Sequence, residues 1–282
     1  MAVTILYGNG LNRISGAPSW KEMMEQLNLE CKLNLEISNS IPYSIQYDHL
    51  VLESNYKENV LDKLCQIMSR NWDNKLYHII AERKDVNYIT TNYDFTLEDW
   101  MSQRYASFYD ETPKRYETVY NVRSFKMPTE GVKVWHIHGD INRPNSIILG
   151  YDHYCNQIHK IHDMLPFNKK RDMSTYNEIL NQENSWVNRF FTDDIYIIGL
   201  GLSFEELDLW WLIDKWATFQ KYRQNRFESP TNKIVYLDAL IDDEDKLELS
   251  KTLEAYGIKY VPFREKTREQ AYEYCIKSIP KN

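Results

Sequence analysis

The stretch that decides the fold is Asp194-Ile195-Tyr196-Ile197-Ile198-Gly199, an apolar run that a glycine interrupts. A short run of β-favouring residues between turn signals predicts a buried strand. Comparable runs cover residues 2–7, 86–90, 233–237 and 258–261, and helical patterns lie between them. Strand and helix therefore alternate without hairpin signals, which favours an α/β fold with a doubly wound, mostly parallel sheet.

Polar or glycine-rich breaks follow four predicted strands, at Gly8, Asn92, His138 and Gly199. Ligands of such sheets bind outside the carboxyl ends of the strands, so these four breaks should converge. The third break ends the apolar run of residues 134–140 (VWHIHGD). Side chains two apart on a strand point to the same face, which predicts a shared face for its two histidines.

The chain of 282 residues is long enough for one large domain with an insertion. Amphipathic spacing predicts a helical insertion lobe that covers approximately residues 21–75 and 151–190. A further strand is predicted at residues 146–149. Ser203, with Glu206 three positions later, predicts the N-cap and capping box of the next helix.

Composition excludes several classes of function. The formal net charge is -7, with 41 acidic against 34 basic side chains, so we expect no direct nucleic-acid binding. The first residues lack a charged leader, and no apolar run approaches the roughly 20 residues that cross a bilayer, so we expect a cytoplasmic protein without membrane contact. The spacing of His153, His159 and His162 predicts a solvated helix face, and we predict no metal site.

Gly8-Asn9-Gly10 follows the first predicted strand. Glycines at this position let the backbone approach a pyrophosphate at a helix N-terminus, as in dinucleotide-binding proteins. The third glycine of that fingerprint is replaced by Arg13. Taken alone, the motif fits nucleotide binding and a plain turn equally well.

Residues 8–20 (GNGLNRISGAPSW) resemble the cofactor loop of sirtuins, whose pattern is GAGxSxxSGIPxF. Residues 90–94 (TTNYD) resemble the sirtuin TQNID, His138-Gly139 resembles the histidine-glycine pair, and residues 199–201 resemble the later GTS turn. The resemblance implies a Rossmann-like fold that binds NAD as its substrate and cleaves the bond between nicotinamide and ribose. The NAD contacts that it implies are Gly8, Asn9, Gly10, Leu11, Asn12, Ser15, Pro18, Trp20, Thr91, Gly139, Gly199, Gly201 and Ser203.

This chemistry suits Asn92, Asp94 and His138. Nicotinamide leaves as a neutral ring, so positive charge develops on the ribose, as in glycoside hydrolysis. A carboxamide and a carboxylate can stabilise that charge and orient a water, and a base that titrates near neutrality is best supplied by histidine. His138 is the predicted base, with His136 as a structural residue or as the base in its place. Asn92 and Asp94 can alternatively be read as a helix cap.

The chain departs from the lysine-deacylating sirtuins, whose zinc module has two CxxC pairs between the histidine-glycine pair and the later turn. That interval contains only Cys155 here, so no zinc is expected. The sequence therefore resembles the zinc-free sirtuin-like domains of bacterial antiviral defence, which implies NAD hydrolysis that starves infected cells. It also implies a homo-oligomer or a partner ATPase or sensor protein. The alternatives are an NAD-dependent protein deacylase and a non-catalytic subunit that binds NAD or ADP-ribose.

Overall fold

The computed structural model describes residues 1–54, 57–104, 108–110, 123–125, 131–165, 185–224, 232–241 and 246–281. The strands in these ranges are β1 (Val3–Tyr7), β2 (Asn87–Thr90), β3 (Phe108–Asp110), β4 (Arg123–Phe125), β5 (Val132–His136), β6 (Asp194–Ile198), β7 (Ile234–Ile241) and β8 (Lys259–Glu265). The helices are α1 (Trp20–Glu30), α2 (Tyr43–Ser54), α3 (Lys57–Met68), α4 (Lys75–Ala81), α5 (Thr96–Arg104), α6 (Tyr151–Met164), α7 (Trp186–Thr192), α8 (Leu207–Gln224), α9 (Leu247–Ala255) and α10 (Arg268–Ser278).

The strands form one sheet in the order β3-β4-β5-β2-β1-β6-β7-β8. The strands from β5 to β8 in this order are all parallel, and β3 and β4 extend the β5 edge in antiparallel pairing. The prediction of a doubly wound, mostly parallel α/β sheet is confirmed. The sequence predicts no strand in the region of this antiparallel edge.

Helices cover both faces of the sheet, because alternate residues of each buried strand point to opposite faces. One face packs against α6 to α9, with Trp135, Trp186 and Leu212 in its core. The other packs against α4, α5 and α10, with Tyr77, Leu97 and others in its core. Among the helices in the described ranges, none has the length and apolar character that a membrane span requires.

Helices α1 to α3 pack around a third apolar cluster, which includes the buried side chains of Met24, Leu50 and Leu64. Ser19 begins α1 with a capping box that Glu22 completes, which satisfies two backbone N–H groups. In the second part of the predicted lobe, α6 contributes to the core beneath the sheet. Residues 166–184 lie outside the described residues, and the lobe boundaries stay a prediction.

Two local predictions were wrong. Residues 146–149 do not form a strand: Ser146 ends a short 3-10 helix (Pro144–Ser146), and residues 147–149 pair with no strand of the described sheet. The helix after β6 begins at Leu207, four residues beyond the predicted N-cap at Ser203. Oε2 of Glu206, which a capping box would engage, has no hydrogen-bond partner.

The predicted shared face of the two histidines was also wrong. Strand β5 ends at His136, and a turn follows in which Gly139 has a φ of +83°. A Cβ on Gly139 would lie 2.1 Å from the carbonyl oxygen of Ser146, so only glycine lets these two segments pack. The alternation of a strand therefore stops before His138, whose ring lies on the α8 side while that of His136 lies on the α5 side.

Candidate active site

A cleft of about 610 Å³ opens at the carboxyl ends of β1 and β6. After β1 the chain continues to β2, toward the β3 edge of the sheet, and after β6 it continues to β7, toward the β8 edge. The cleft therefore lies at the topological switch point, where such folds bind ligands. The predicted site residues that line it are Asn9, Gly10, Pro18, Trp20, Thr91, Asn92, Gly199, Gly201 and Ser203. The structure therefore brings three of the four predicted breaks to one cavity.

The two glycine loops are pinned to each other by their backbones. The N–H of Gly10 donates to the carbonyl oxygen of Gly199 over 2.7 Å, and that of Gly8 donates to Ile198 over 3.2 Å. A Cβ on Gly10 would lie 2.7 Å from the oxygen of Gly199 and 2.3 Å from the hydroxyl of Tyr272. Glycine at position 10 therefore lets the two loops pack closely against each other and against Tyr272.

The turn after β2 presents Asn92 to the cleft and keeps Asp94 behind it. Both oxygens of Asp94 accept hydrogen bonds, one from the side chain of Asn12 over 2.7 Å and one from the N–H of Thr96 over 3.0 Å. Burial raises the pKa of Asp94 above its ordinary value, which those hydrogen bonds oppose. Asp94 does not line the cleft, and its geometry is that of a residue that holds the turn.

Asn12 is likewise a supporting residue rather than a lining one. Its side-chain oxygen accepts a hydrogen bond from Tyr77, whose hydroxyl also lies 3.5 Å from Nδ2 of Asn92. The remaining polar atom of Asn92, the buried Oδ1, has no hydrogen-bond partner. A buried carbonyl oxygen left unsatisfied in this way is suited to a ligand that carries positive charge or a donor.

Other predicted contact residues also lie outside the cleft lining. Gly8 and Leu11 are buried behind the first glycine loop, and Ser15 donates to the carbonyl oxygen of Trp72 over 2.8 Å. Gly139 is packed against Ser146. These residues shape the loops that meet the cleft.

His138 is fully buried and does not line the cleft. Its Nε2 lies 3.1 and 3.2 Å from the two carboxylate oxygens of Asp208, and its Nδ1 lies 3.9 Å from Oε2 of Glu206. Although burial lowers the pKa of His138, the Asp208 carboxylate raises it above the ordinary value. A carboxylate on one ring nitrogen fixes the tautomer and leaves the other nitrogen available as a base.

Glu206, which the sequence assigns only to a capping box, lines the cleft next to His138. The residue is 3% exposed, and its buried Oε2 has no hydrogen-bond partner. Burial raises the pKa of Glu206 to about 7, an effect that His138 opposes and Asp208 reinforces. The signal that could have identified it is the pair of acids two positions apart in a segment that follows a glycine loop.

Among the described residues, His138, Glu206 and Asp208 each place one possible metal-ligand atom within 4.8 Å of the others. The two carboxylates, however, face different nitrogens of one imidazole ring. One ion cannot be coordinated through both nitrogens, and Nε2 is already engaged by Asp208. The arrangement therefore suits the transfer of a proton better than the binding of a metal.

Cationic residues, which the sequence predictions do not include, also line part of the cleft. They are Arg13, Lys246 and Arg268. Lys246 Nζ lies 2.7 Å from Asp238, and Arg268 donates to the carbonyl oxygen of Ala239 over 2.6 Å. Together with the backbone of the glycine loops, they make this part of the cleft suited to an anionic group such as a phosphate.

The chain is similar to known proteins. The sequence model of a family described as "SIR2-like domain" matches residues 86–261, more than half of the chain. The curated protein "NAD(+) hydrolase ThsA" from Cytobacillus dafuensis is 23% identical over 218 residues, which cover 75% of this chain. The chain spans 37% of the length of that relative.

Proposed function

We propose, from the premise that this chain belongs to the SIR2-like domain family, that it is an NAD glycohydrolase. It would cleave NAD between nicotinamide and ribose and release nicotinamide and ADP-ribose. The observation that carries the proposal is the cleft at the switch point. Two glycine loops and Asn92 line it, and the side-chain oxygen of Asn92 has no hydrogen-bond partner. The similarity to a protein named NAD(+) hydrolase supports the same substrate.

The cleft offers matching chemistry to each part of NAD. The glycine loops, with Arg13 and Arg268, suit the pyrophosphate. Positive charge develops on the ribose as nicotinamide leaves, and the Oδ1 of Asn92, which has no hydrogen-bond partner in the protein, would stabilise it. Nicotinamide departs as a neutral ring, so the remaining task is to remove a proton from the attacking water.

Removal of the side-chain amide of Asn92 tests this proposal. Purified protein is incubated with NAD and free nicotinamide is measured by chromatography. Asn92→Ala should lower the release rate by about 100-fold, since one preorganised polar group at a developing charge contributes about that much. Asn156→Ala, an exposed asparagine on α6, is the matched control and should leave the rate unchanged. Undiminished release from Asn92→Ala would contradict the assigned role.

A second candidate is a non-catalytic subunit that binds NAD or ADP-ribose. The observation that favours it is the complete burial of His138, the predicted base, away from the cleft. It predicts thermal stabilisation by NAD without nicotinamide release under any condition. Release that requires an acylated peptide and yields acylated ADP-ribose would instead indicate protein deacylation.

The defence role and the assembly state extend the proposal further. We infer that the hydrolysis depletes NAD in an infected cell and that the chain acts as a homo-oligomer or with an ATPase or sensor protein. Expression with and without phage, followed by measurement of cellular NAD, tests the first inference. Light scattering of the purified protein tests the second, and a monodisperse monomer that hydrolyses NAD unaided would overturn it.

A further inference from the structure

We propose that Glu206 is a further catalytic residue, which takes the proton from the attacking water and passes it to His138. The inference rests on the proposed NAD hydrolysis and assigns the group that meets the substrate. His138 lies behind the cleft, whereas Glu206 lines it. A base that cannot reach the substrate needs a carrier, and Glu206 both lines the cleft and lies 3.9 Å from His138.

Glu206 and His138 each have a buried polar atom that lacks a hydrogen-bond partner. Oε2 of Glu206 and Nδ1 of His138 are both buried, both lack a hydrogen-bond partner, and lie 3.9 Å apart. Buried polar atoms are rarely left unpaired, and those that are often serve a ligand or a reaction. Because hydrogen bonds of catalytic groups are often long before substrate binds, we expect this separation to shorten when NAD fills the cleft.

The position of Glu206 is fixed from both sides. Its backbone N–H donates to the carbonyl oxygen of Ser203 over 3.2 Å, and its own carbonyl oxygen accepts from Trp210 in the first turn of α8. The preceding Glu205 accepts hydrogen bonds from the N–H groups of Tyr43 and Ser44, over 2.9 and 3.4 Å, at the start of α2. The segment that carries Glu206 is therefore held between α8 and the helical lobe.

In the proposed reaction, the proton of the attacking water moves through Glu206 to His138. The bond between ribose C1′ and the nicotinamide nitrogen breaks, and its electron pair stays on the nitrogen, which leaves neutral nicotinamide. A water oxygen forms a bond to C1′ and loses a proton to the carboxylate of Glu206. Glu206 passes the proton to Nδ1 of His138, and Asp208 stabilises the imidazolium through Nε2. The imidazolium releases the proton to solvent when ADP-ribose leaves.

The surroundings of Glu206 favour this exchange near neutral pH. The titratable groups that face it are His138, Asp208, Glu205, Tyr93 and Tyr154. Burial and the two neighbouring acids disfavour its ionised form, whereas His138 favours it. A carboxylate poised in this way accepts a proton from water more readily than an exposed one.

Glu206→Gln tests the proposal, because glutamine keeps the shape of the side chain but cannot accept the proton. The nicotinamide release rate should fall by about 100-fold or more, with affinity for ADP-ribose within about three-fold of wild type. In wild type the rate should rise with pH through about 7, and this rise should disappear in the variant. Glu254→Gln, an exposed acid on α9, is the matched control.

Retention of at least a third of the wild-type rate by Glu206→Gln, with the same pH profile, would overturn the proposal. If that variant does not fold, Glu206→Asp serves instead, and it should keep the rise with pH at a reduced rate. The two failures are distinguishable, because absence of nicotinamide release from wild type defeats the proposed function itself. Nitrogen NMR of His138 tests the proton exchange with Glu206 in the absence of substrate. A change of the His138 nitrogen chemical shifts near pH 7 that Glu206→Gln abolishes supports proton sharing between the two side chains, and an unchanged titration contradicts it.

Discussion

Two histidines in this protein, His136 and His138, are two positions apart, fully buried and paired with a carboxylate, yet they differ in what their rings can do. His136 uses both nitrogens: Nε2 pairs with Glu98, and Nδ1 lies 3.0 Å from the carbonyl oxygen of Asn92. His138 uses Nε2 alone, for Asp208, and its Nδ1 faces Glu206 without a hydrogen bond. Burial beside a carboxylate therefore does not identify a base, whereas an unused nitrogen that faces a cleft-lining acid does.

The largest expected effect separates the two rings by activity. His138→Gln retains a donor for Asp208 but removes the basic nitrogen, so nicotinamide release should fall by about 10³-fold or more. Thermal unfolding should confirm that the variant is folded. His159→Gln, on the exposed side of α6, is the control and should retain full activity. Near-wild-type release from His138→Gln would show that the ring of His138 is not the base.

The second prediction concerns the stability that His136 provides. His136→Ala leaves the buried Glu98 without its partner, which should lower the free energy of unfolding by about 3–5 kcal/mol. Although burial lowers the pKa of His136, Glu98 raises it above the ordinary value. A raised folded-state pKa stabilises the fold below the unfolded value, and this contribution is lost as pH rises through the folded value.

The stability difference between wild type and His136→Ala should therefore be larger at pH 6 than at pH 9 in urea denaturation. A difference that grows with pH would contradict the assigned pairing. His159→Ala, with the ring exposed, is the control and should show little difference at either pH.

Part of this architecture was predictable because buried parallel strands have a simple sequence pattern. Strand β6 is apolar and buried after its first residue, Asp194, and a glycine with positive φ follows it, so the sequence indicates both its place and its end. The edge strands β3 and β4 are three residues each and lie in a region of mixed charge, where short pairing leaves no periodic signal. Their pairing depends on β5 and cannot be inferred from the segment itself.

The candidate site was predictable where backbone governs it and less so where side chains do. The glycine loops and Asn92 follow strands, so their convergence came from topology. The direction of His138 depends on the turn at Gly139, which packs on Ser146 only in the folded chain. Glu206 matched a local capping pattern, whereas its place in the cleft is set by a helix that begins at Leu207.

The third prediction concerns the cost in stability of ionising the buried side chain of Glu206, which faces His138. Its pKa is raised to about 7 from an ordinary value of 4.5, so its contribution to stability is full below pH 4.5 and is lost as pH rises through 7. Glu206→Gln escapes this loss and should be more stable than wild type at pH 8, by up to about 3 kcal/mol. Urea denaturation at pH 4.5 and 8 measures the change, and an equal difference at both values would argue against a buried, titrating Glu206.

The smallest expected effect is at Glu205, which links the segment carrying Glu206 to the helical lobe. Its carboxylate accepts from the N–H groups of Tyr43 and Ser44, where the positive end of the α2 dipole favours a negative charge. Burial raises the pKa of Glu205, whereas the two N–H groups oppose that shift. Glu205→Gln loses their interaction with the charge and should cost up to about 1 kcal/mol, with faster hydrogen exchange at those two amides. Glu248→Gln, exposed on α9, is the control. If the link also positions Glu206, nicotinamide release should fall by a few fold in Glu205→Gln, while the pairing of His136 with Glu98 and its pH-dependent stability remain unchanged.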